Sequence, residues 1–276
     1  MPELPEVETI RRTLAEQVIG KNIVKVEVTC DRIIQRISPA EFAAKLAGQT
    51  IRKMERFGKY LFFVLDEFTL ISHLRMEGKY YVLPALAPAG KYEHVKFSFS
   101  DGSSLRYEDM RKFGTMELVL PGTERTTKGL CAMGLEPFDE GFTVAYLKEK
   151  IQKSHSPIKS LLLDQKNVVG LGNIYVNEVL FQSRIHPETT GSALKETDYA
   201  HLIEYCRSVL KDAIEFGGTT IRSYYSGLGV SGNFQDRLLV HRKKGEPCPR
   251  CKTAIEKIAV GGRGTYFCPK CQKKEA

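Results

Sequence analysis

Two Cys-x-x-Cys pairs, Cys248-Pro-Arg-Cys251 and Cys268-Pro-Lys-Cys271, stand sixteen residues apart near the C-terminus. Four thiolates in that arrangement close a tetrahedron around one zinc ion. With every coordination position taken by sulfur, no place remains for water, so the ion is expected to be structural and not catalytic. Between the pairs, residues 254–260 and 265–267 read as the two strands of a ribbon, with Gly261-Gly262-Arg263-Gly264 as its turn. The competing arrangement, two disulfides in a small loop, belongs to an oxidising compartment that nothing else in the chain suggests. Cys30, Cys131 and Cys206 are scattered singly and read as reduced structural thiols.

The cysteines lie in a basic pole. The formal net charge is +8, from 41 basic and 33 acidic residues; residues 242–276 hold ten basic and three acidic side chains, which is +7 of that total. Such a pole suits a polyanion, most simply a phosphate backbone. The alternative is a solvated tail that keeps the protein soluble.

These groups need a scaffold, and 276 residues with 42% hydrophobic and 27% charged side chains can supply one large or two ordinary domains. A first helix is predicted from Pro5, with Val7, Ile10, Leu14 and Val18 at helical spacing and Gly20 ending it. Strands are then predicted over residues 23–28, 59–65, 69–74, 79–83, 94–99, 105–107 and 116–120. That succession implies an antiparallel β-sandwich or barrel. From residue 142 the period becomes helical, with helices expected over 142–153, 158–165, 173–182 and 197–216. The 166–172 connection offers glycines and a helix start that could grip a phosphate, although an ordinary interhelical loop has the same composition. The polar 217–233 stretch is long enough to suggest a functional loop. The expected division is a strand-rich domain over 1–130, a helical domain over 131–235, and a zinc-ribbon module over 236–276. No apolar run approaches the ~20 residues of a membrane span, and the acidic N-terminus lacks the apolar stretch of a secretory signal. A cytosolic location and no membrane association are therefore expected, and a monomeric state is the expectation as well.

Five separated motifs share one order with a known family: Met1-Pro2-Glu3-Leu4-Pro5-Glu6-Val7-Glu8, His73-Leu74-Arg75-Met76-Glu77-Gly78-Lys79, Asp109-Met110-Arg111-Lys112-Phe113-Gly114, Gly170-Leu171-Gly172-Asn173-Ile174-Tyr175 and Gly262-Arg263-Gly264-Thr265. With the zinc ribbon they make the chain resemble, end to end, the bacterial formamidopyrimidine-DNA glycosylases, which repair 8-oxoguanine. The resemblance implies an α+β protein: an N-terminal antiparallel β-sandwich flanked by helices, then a helix-two-turns-helix domain carrying the ribbon. It also implies duplex DNA with oxidised purines or abasic sites as the partner.

The implied roles follow the motifs. Pro2, freed by removal of Met1, would attack C1′; an α-amino group has a pKa of about 7.7–8.0, against about 10.4 for lysine, so far more of it is unprotonated near neutrality. Glu3 would be the general acid/base and Glu6 its support, in proton transfer or orientation. Both acids also suit a helix N-terminus, which is the only role left to Glu8. Lys59 would hold a phosphate beside the lesion, with His73, Lys159, Asn173 and Arg263 as further backbone contacts. Met76 and Phe113 would fill the gap left by an extruded nucleotide, and Arg111 would hydrogen-bond the orphaned cytosine. Glu77, Thr219, Ile221, Arg222, Ser223 and Tyr224 would recognise the everted base. The chain departs from the family pattern at Phe57, where a second basic residue is frequent, at Asn177, where aspartate is common, and at Tyr266, where histidine is frequent. Two rivals remain: the related endonuclease VIII branch, acting on oxidised pyrimidines, and a zinc-ribbon nucleic-acid binder without catalysis. The Leu4-Pro5 opening and the Met76, Arg111 and Phe113 set argue against the first; intact Pro2, Glu3 and Glu6 argue against the second.

Overall fold

The structure is a computed structural model that describes residues 1–219 and 232–274. The chain divides into two compact units: Met1–Cys131 with the described part of Gly217–Gly232, and Ala132–Phe216 with Asn233 onward.

The first unit opens with helix α1, Leu4–Val18. Glu3 and Glu6 form a reciprocal capping box at its start, and Pro5 stands in the first turn, where a missing N–H costs nothing. Val7, Ile10, Leu14 and Val18 make its buried stripe. After it come β1 (Ile23–Val28), α2 (Pro39–Leu46), β2 (Lys53–Phe57), β3 (Tyr60–Val64), β4 (Thr69–His73), β5 (Lys79–Pro84), β6 (Glu93–Phe99), β7 (Ser103–Glu108) and β8 (Thr115–Val119). The strands form two four-stranded antiparallel sheets, ordered β1-β6-β7-β5 and β2-β3-β4-β8. Val26, Phe97, Leu105 and Tyr107 from the first sheet meet Met54, Leu61, Phe63, Leu70 and Met116 from the second in one core. Helices α1 and α2 close it with Leu14, Phe42 and Leu46.

Two elements go beyond the sequence reading. Strand β2 is an edge strand reading Lys-Met-Glu-Arg-Phe, in which only Met54 is fully buried, so its alternation is masked by charge. Helix α2 spans only eight residues and is announced mainly by Ser38, whose hydroxyl accepts the Glu41 N–H.

The second unit holds α3 (Val144–Ile151), α4 (Ile158–Leu163), α5 (Asn173–Gln182), α6 (Glu196–Glu215) and the antiparallel hairpin β9 (Glu256–Val260) and β10 (Arg263–Phe267). Every residue of α5 from Tyr175 to Phe181 is buried, because α4, α6 and β10 all pack on it. The ribbon turn is tighter than the sequence suggested. Gly261 and Gly262, with φ of 56° and 71°, make it alone, and Arg263 opens β10 opposite Val260 instead of sitting in the turn. Among the described residues, no helix is long and apolar enough to cross a membrane.

Candidate active site and nucleic-acid interface

One register row assembles the first unit's candidate site. Tyr60 at the start of β3 pairs with His73 at the end of β4, and His73 pairs with Thr115 at the start of β8. The turn bearing Lys59, the turn bearing Met76 and Glu77, and the turn bearing Arg111 and Phe113 therefore leave the sheet at the same end. Helix α1 brings its N-terminus there as well. Arg11 donates to the Met54 carbonyl, and Arg56, two residues further along β2, donates to Glu8 at 3.2 Å. Moving along β2 toward Lys59 thus moves up α1 toward Glu3 and Pro2.

At that end the acids and bases are enclosed. Glu3, Glu6 and Lys59 are all at least nine-tenths buried. Glu6 is a strut: Oε2 accepts the Glu3 N–H at 2.8 Å, while Oε1 accepts the Thr219 N–H at 2.8 Å and its hydroxyl at 3.1 Å. Gly218, at φ 80°, lies so close that a Cβ there would stand 2.6 Å from the Glu6 Oε1. Three donors thus converge on the two oxygens of one buried carboxyl group. Thr219, one of the residues expected to recognise the lesion base, here donates both its N–H and its hydroxyl to Glu6 and so anchors the segment. Ile221, Arg222, Ser223 and Tyr224 lie outside the described residues.

His73 is buried, and its Nδ1 accepts the Arg75 N–H at 2.9 Å. Burial, together with the charges of Arg75 and Lys59, pushes its pKa down to about 3. The ring is therefore neutral and carries its proton on Nε2, as a donor. Its edge meets Tyr60, with centroids 4.3 Å apart.

Met76 and Phe113 are 44% and 41% exposed, so neither is a core residue. The Arg111 guanidinium stands 4.7 Å from the Phe113 ring centroid. Their turn is organised by Asp109, which the sequence reading passed over. Its buried carboxylate accepts the N–H groups of Arg111, Phe113 and Gly114 at 3.0, 2.8 and 2.8 Å. An aspartate ahead of a glycine-ended turn was the available signal. The Tyr107 hydroxyl packs against both Gly78 and Gly114, where a Cβ would fall within 2.3 and 1.7 Å of it, so the Met76 and Phe113 turns are held together. Glu77 is half-buried in the first of them.

In the second unit the four thiols come within 4.8 Å of one another and fit a single tetrahedral zinc ion, which Cys248, Cys251, Cys268 and Cys271 hold. Gln272, fully buried, accepts the Cys268 N–H and donates to the Ile185 carbonyl, tying one knuckle to the helical part of the unit. Glu178 does the same for residues 239–241, accepting their three N–H groups at 2.7–3.1 Å.

Lys159 requires a correction. It was expected to touch a DNA phosphate, yet it is fully buried. Its ammonium donates to the Asn177 Oδ1 at 2.9 Å, the Thr265 Oγ1 at 2.8 Å and the Gly264 carbonyl at 3.1 Å. It is a tie between α4, α5 and the ribbon. Asn173 also donates to the Gly264 carbonyl, at 3.1 Å, which places the start of α5 beside exposed Arg263. The two departures Asn177 and Tyr266 meet at one residue. The Asn177 Nδ2 bonds His241 Nδ1 at 2.7 Å, and the His241 ring lies edge-on to Tyr266. Since the Asn177 oxygen already faces Lys159, its amide nitrogen is the donor and His241 the neutral acceptor. Burial and the nearby charges of Lys159 and Arg242 agree, pushing the His241 pKa down to about 4.

Comparison with known proteins covers nearly the whole chain. Residues 1–116 match the formamidopyrimidine-DNA glycosylase N-terminal domain, 133–225 the H2TH domain of the same enzymes, and 245–274 a zinc finger found in FPG and IleRS. The formamidopyrimidine-DNA glycosylases of Bacillus licheniformis and Bacillus subtilis are 53% and 51% identical over 99% and 100% of this chain and 100% of theirs. Among solved structures, the Lactococcus lactis Fpg bound to DNA containing an abasic site superposes with a TM-score of 0.92 at 44% identity, over 99% of this chain and 100% of that one. A point variant of the same enzyme bound to DNA containing Fapy-dG gives 0.93 at 43% identity, with the same coverage. With its sandwich, helical unit and four-cysteine ribbon all matched in order, the chain belongs to the formamidopyrimidine-DNA glycosylase family.

Proposed function

We propose that this protein excises oxidised purines, 8-oxoguanine and formamidopyrimidines, from duplex DNA and then cleaves the abasic strand by β,δ-elimination. The observation that carries this reading is the single sheet end that gathers Glu3, Lys59, His73, Met76, Arg111 and Phe113 beside the start of α1. With Met1 attached the Pro2 nitrogen is an amide; after trimming it is a secondary amine. Its lone pair attacks C1′ while the glycosidic bond breaks and the base leaves with a proton. Glu3, enclosed at the helix start, exchanges that proton or the one required by the ring oxygen. Ring opening gives an iminium, which a secondary amine cannot neutralise by losing a proton. Its charge acidifies the C2′ hydrogens, and loss of one expels the 3′ phosphate; a second elimination expels the 5′ phosphate.

Glu6, as the acceptor of three donors, supports the site by orienting Glu3 and Thr219. Lys59 and the Nε2–H of His73 supply donors to a phosphate beside the lesion. Met76 and Phe113 replace stacking lost on extrusion, an event costing a few kcal/mol, while Arg111 faces the unpaired cytosine. In the second unit, Arg263 and the remaining amide hydrogen of Asn173 contact the backbone, and zinc holds the hairpin that presents Arg263. Duplexes with 8-oxoguanine opposite cytosine, compared with an oxidised-pyrimidine duplex, test the assignment. Faster release of the purine supports it; preference for the pyrimidine would move the protein to the endonuclease VIII branch. Binding without base release would leave a non-catalytic binder.

A further inference from the structure

A cation outside the family motifs stands at the same sheet end. Arg125, exposed in a short 3-10 turn over Glu124–Thr126, lays its guanidinium on Phe57, with the central carbon 3.7 Å from the ring centroid. Phe57 is the last residue of β2 and pairs with Tyr60 across the turn that carries Lys59; Gly58, at φ 57°, makes that turn possible. The segment bearing Arg125 stays beside this turn, because the Tyr60 hydroxyl reaches the Gly129 carbonyl at 3.5 Å, and the Tyr60 ring in turn abuts His73. Arg125 is therefore the neighbour of the two groups that bind phosphate in the proposed reading.

Its surroundings leave the charge uncompensated. The adjoining Glu124 is turned inward, its Oε1 accepting the Thr69 hydroxyl at 2.7 Å and the Gly122 N–H at 3.1 Å. Among the described residues no carboxylate pairs with Arg125. A guanidinium stacked on an aromatic face leaves the N–H donors around its own edge free, and they form a flat fork suited to two phosphate oxygens. Stacking also restrains the long side chain before the anion arrives, which reduces the entropy lost on binding. Lysine held on such a face would offer a point charge without the fork.

We propose that Arg125, stacked on Phe57, binds a DNA phosphodiester beside the one held by Lys59 and His73. The proposal rests on the DNA-repair reading above, and the test separates the two. Dissociation constants for a duplex carrying a stable abasic-site analogue are measured between 50 and 200 mM salt for the wild type, Arg125→Gln, Arg125→Lys and Phe57→Leu. Losing one phosphate contact lowers the slope of log K against log salt by about 0.9, so the wild-type advantage over Arg125→Gln should shrink about 3.5-fold across that range. Arg125→Lys should keep the slope but bind more weakly, and Phe57→Leu should weaken binding with the slope retained. If Arg125→Gln shares the wild-type slope, whatever its affinity or melting temperature, Arg125 makes no phosphate contact and the proposal fails. A wild type that does not bind the duplex, or binds without salt dependence, would instead remove the DNA-repair reading itself.

Discussion

Lys159 donates to the Gly264 carbonyl 105 positions away, at 3.1 Å, and so a buried ammonium fixes the first residues of β10 to α4. Lys159→Met should lower stability by about 2–4 kcal/mol, since hydrogen bonds from a charged donor are lost and buried acceptors go unmatched. Chemical denaturation measures this. The salt slope of DNA binding by the folded variant should equal the wild type's; a slope reduced by about 0.9 would return Lys159 to the phosphate contacts.

Glu3→Gln separates base release from strand cleavage. Removing a general acid should slow excision of 8-oxoguanine by about 10²–10⁴-fold. Covalent trapping on DNA with a preformed abasic site should persist, because no base remains to be protonated. Equal loss of both activities would show that Glu3 does something other than assist base departure.

Chelating the zinc should abolish DNA binding while the sandwich unit stays folded, because the ion holds the hairpin that begins with Arg263 and lies outside the sandwich. Far-ultraviolet circular dichroism with a binding titration after verified metal loss checks both halves. Unchanged affinity would contradict the placement of the ribbon in the interface.

Glu8 carries a pH signature. Burial would raise its pKa, but hydrogen bonds from Arg11 and Arg12, with the nearby charge of Arg56, more than offset this and hold it at about 2. A depressed folded-state pKa means the stabilisation is complete above the ordinary glutamate value of 4.5 and fades as pH falls toward 2. Allowing for solvent screening around the exposed Arg12, its size is on the order of 1–2 kcal/mol. Wild type minus Glu8→Gln stability should be constant from pH 7 to 5 and then shrink; a pH-independent difference would mean that Glu8 acts only through its shape.

Much of this was legible in the chain. Short runs rich in apolar and β-branched residues, set off by turn residues, located β1 and β4, and the two cysteine pairs located the zinc site, because burial and metal ligation leave short local signatures. Residues 39–46 and 53–57 were missed, since a short helix and a charged edge strand impose weak periods. Side-chain direction was the other gap. A lysine in a DNA-binding chain is ordinarily a surface cation, and nothing local to Lys159 shows that Asn177, Gly264 and Thr265 converge on it from other elements. The same holds for Thr219, whose N–H meets Glu6 only because the chain returns to the first unit after α6. Asp109 was visible as a turn residue, but its three accepted N–H groups arise from the fold of the turn.

In the proposed mechanism the Pro2 nitrogen, exposed by loss of Met1, bonds to C1′ of the lesion. Borohydride reduction during incubation with 8-oxoguanine duplex, followed by mass analysis of the protein–DNA adduct, tests it directly. An adduct mapped to Pro2 is expected in the trimmed protein, and none in Pro2→Gly or in protein that keeps Met1. Full-rate strand cleavage by protein shown to retain Met1 would contradict it.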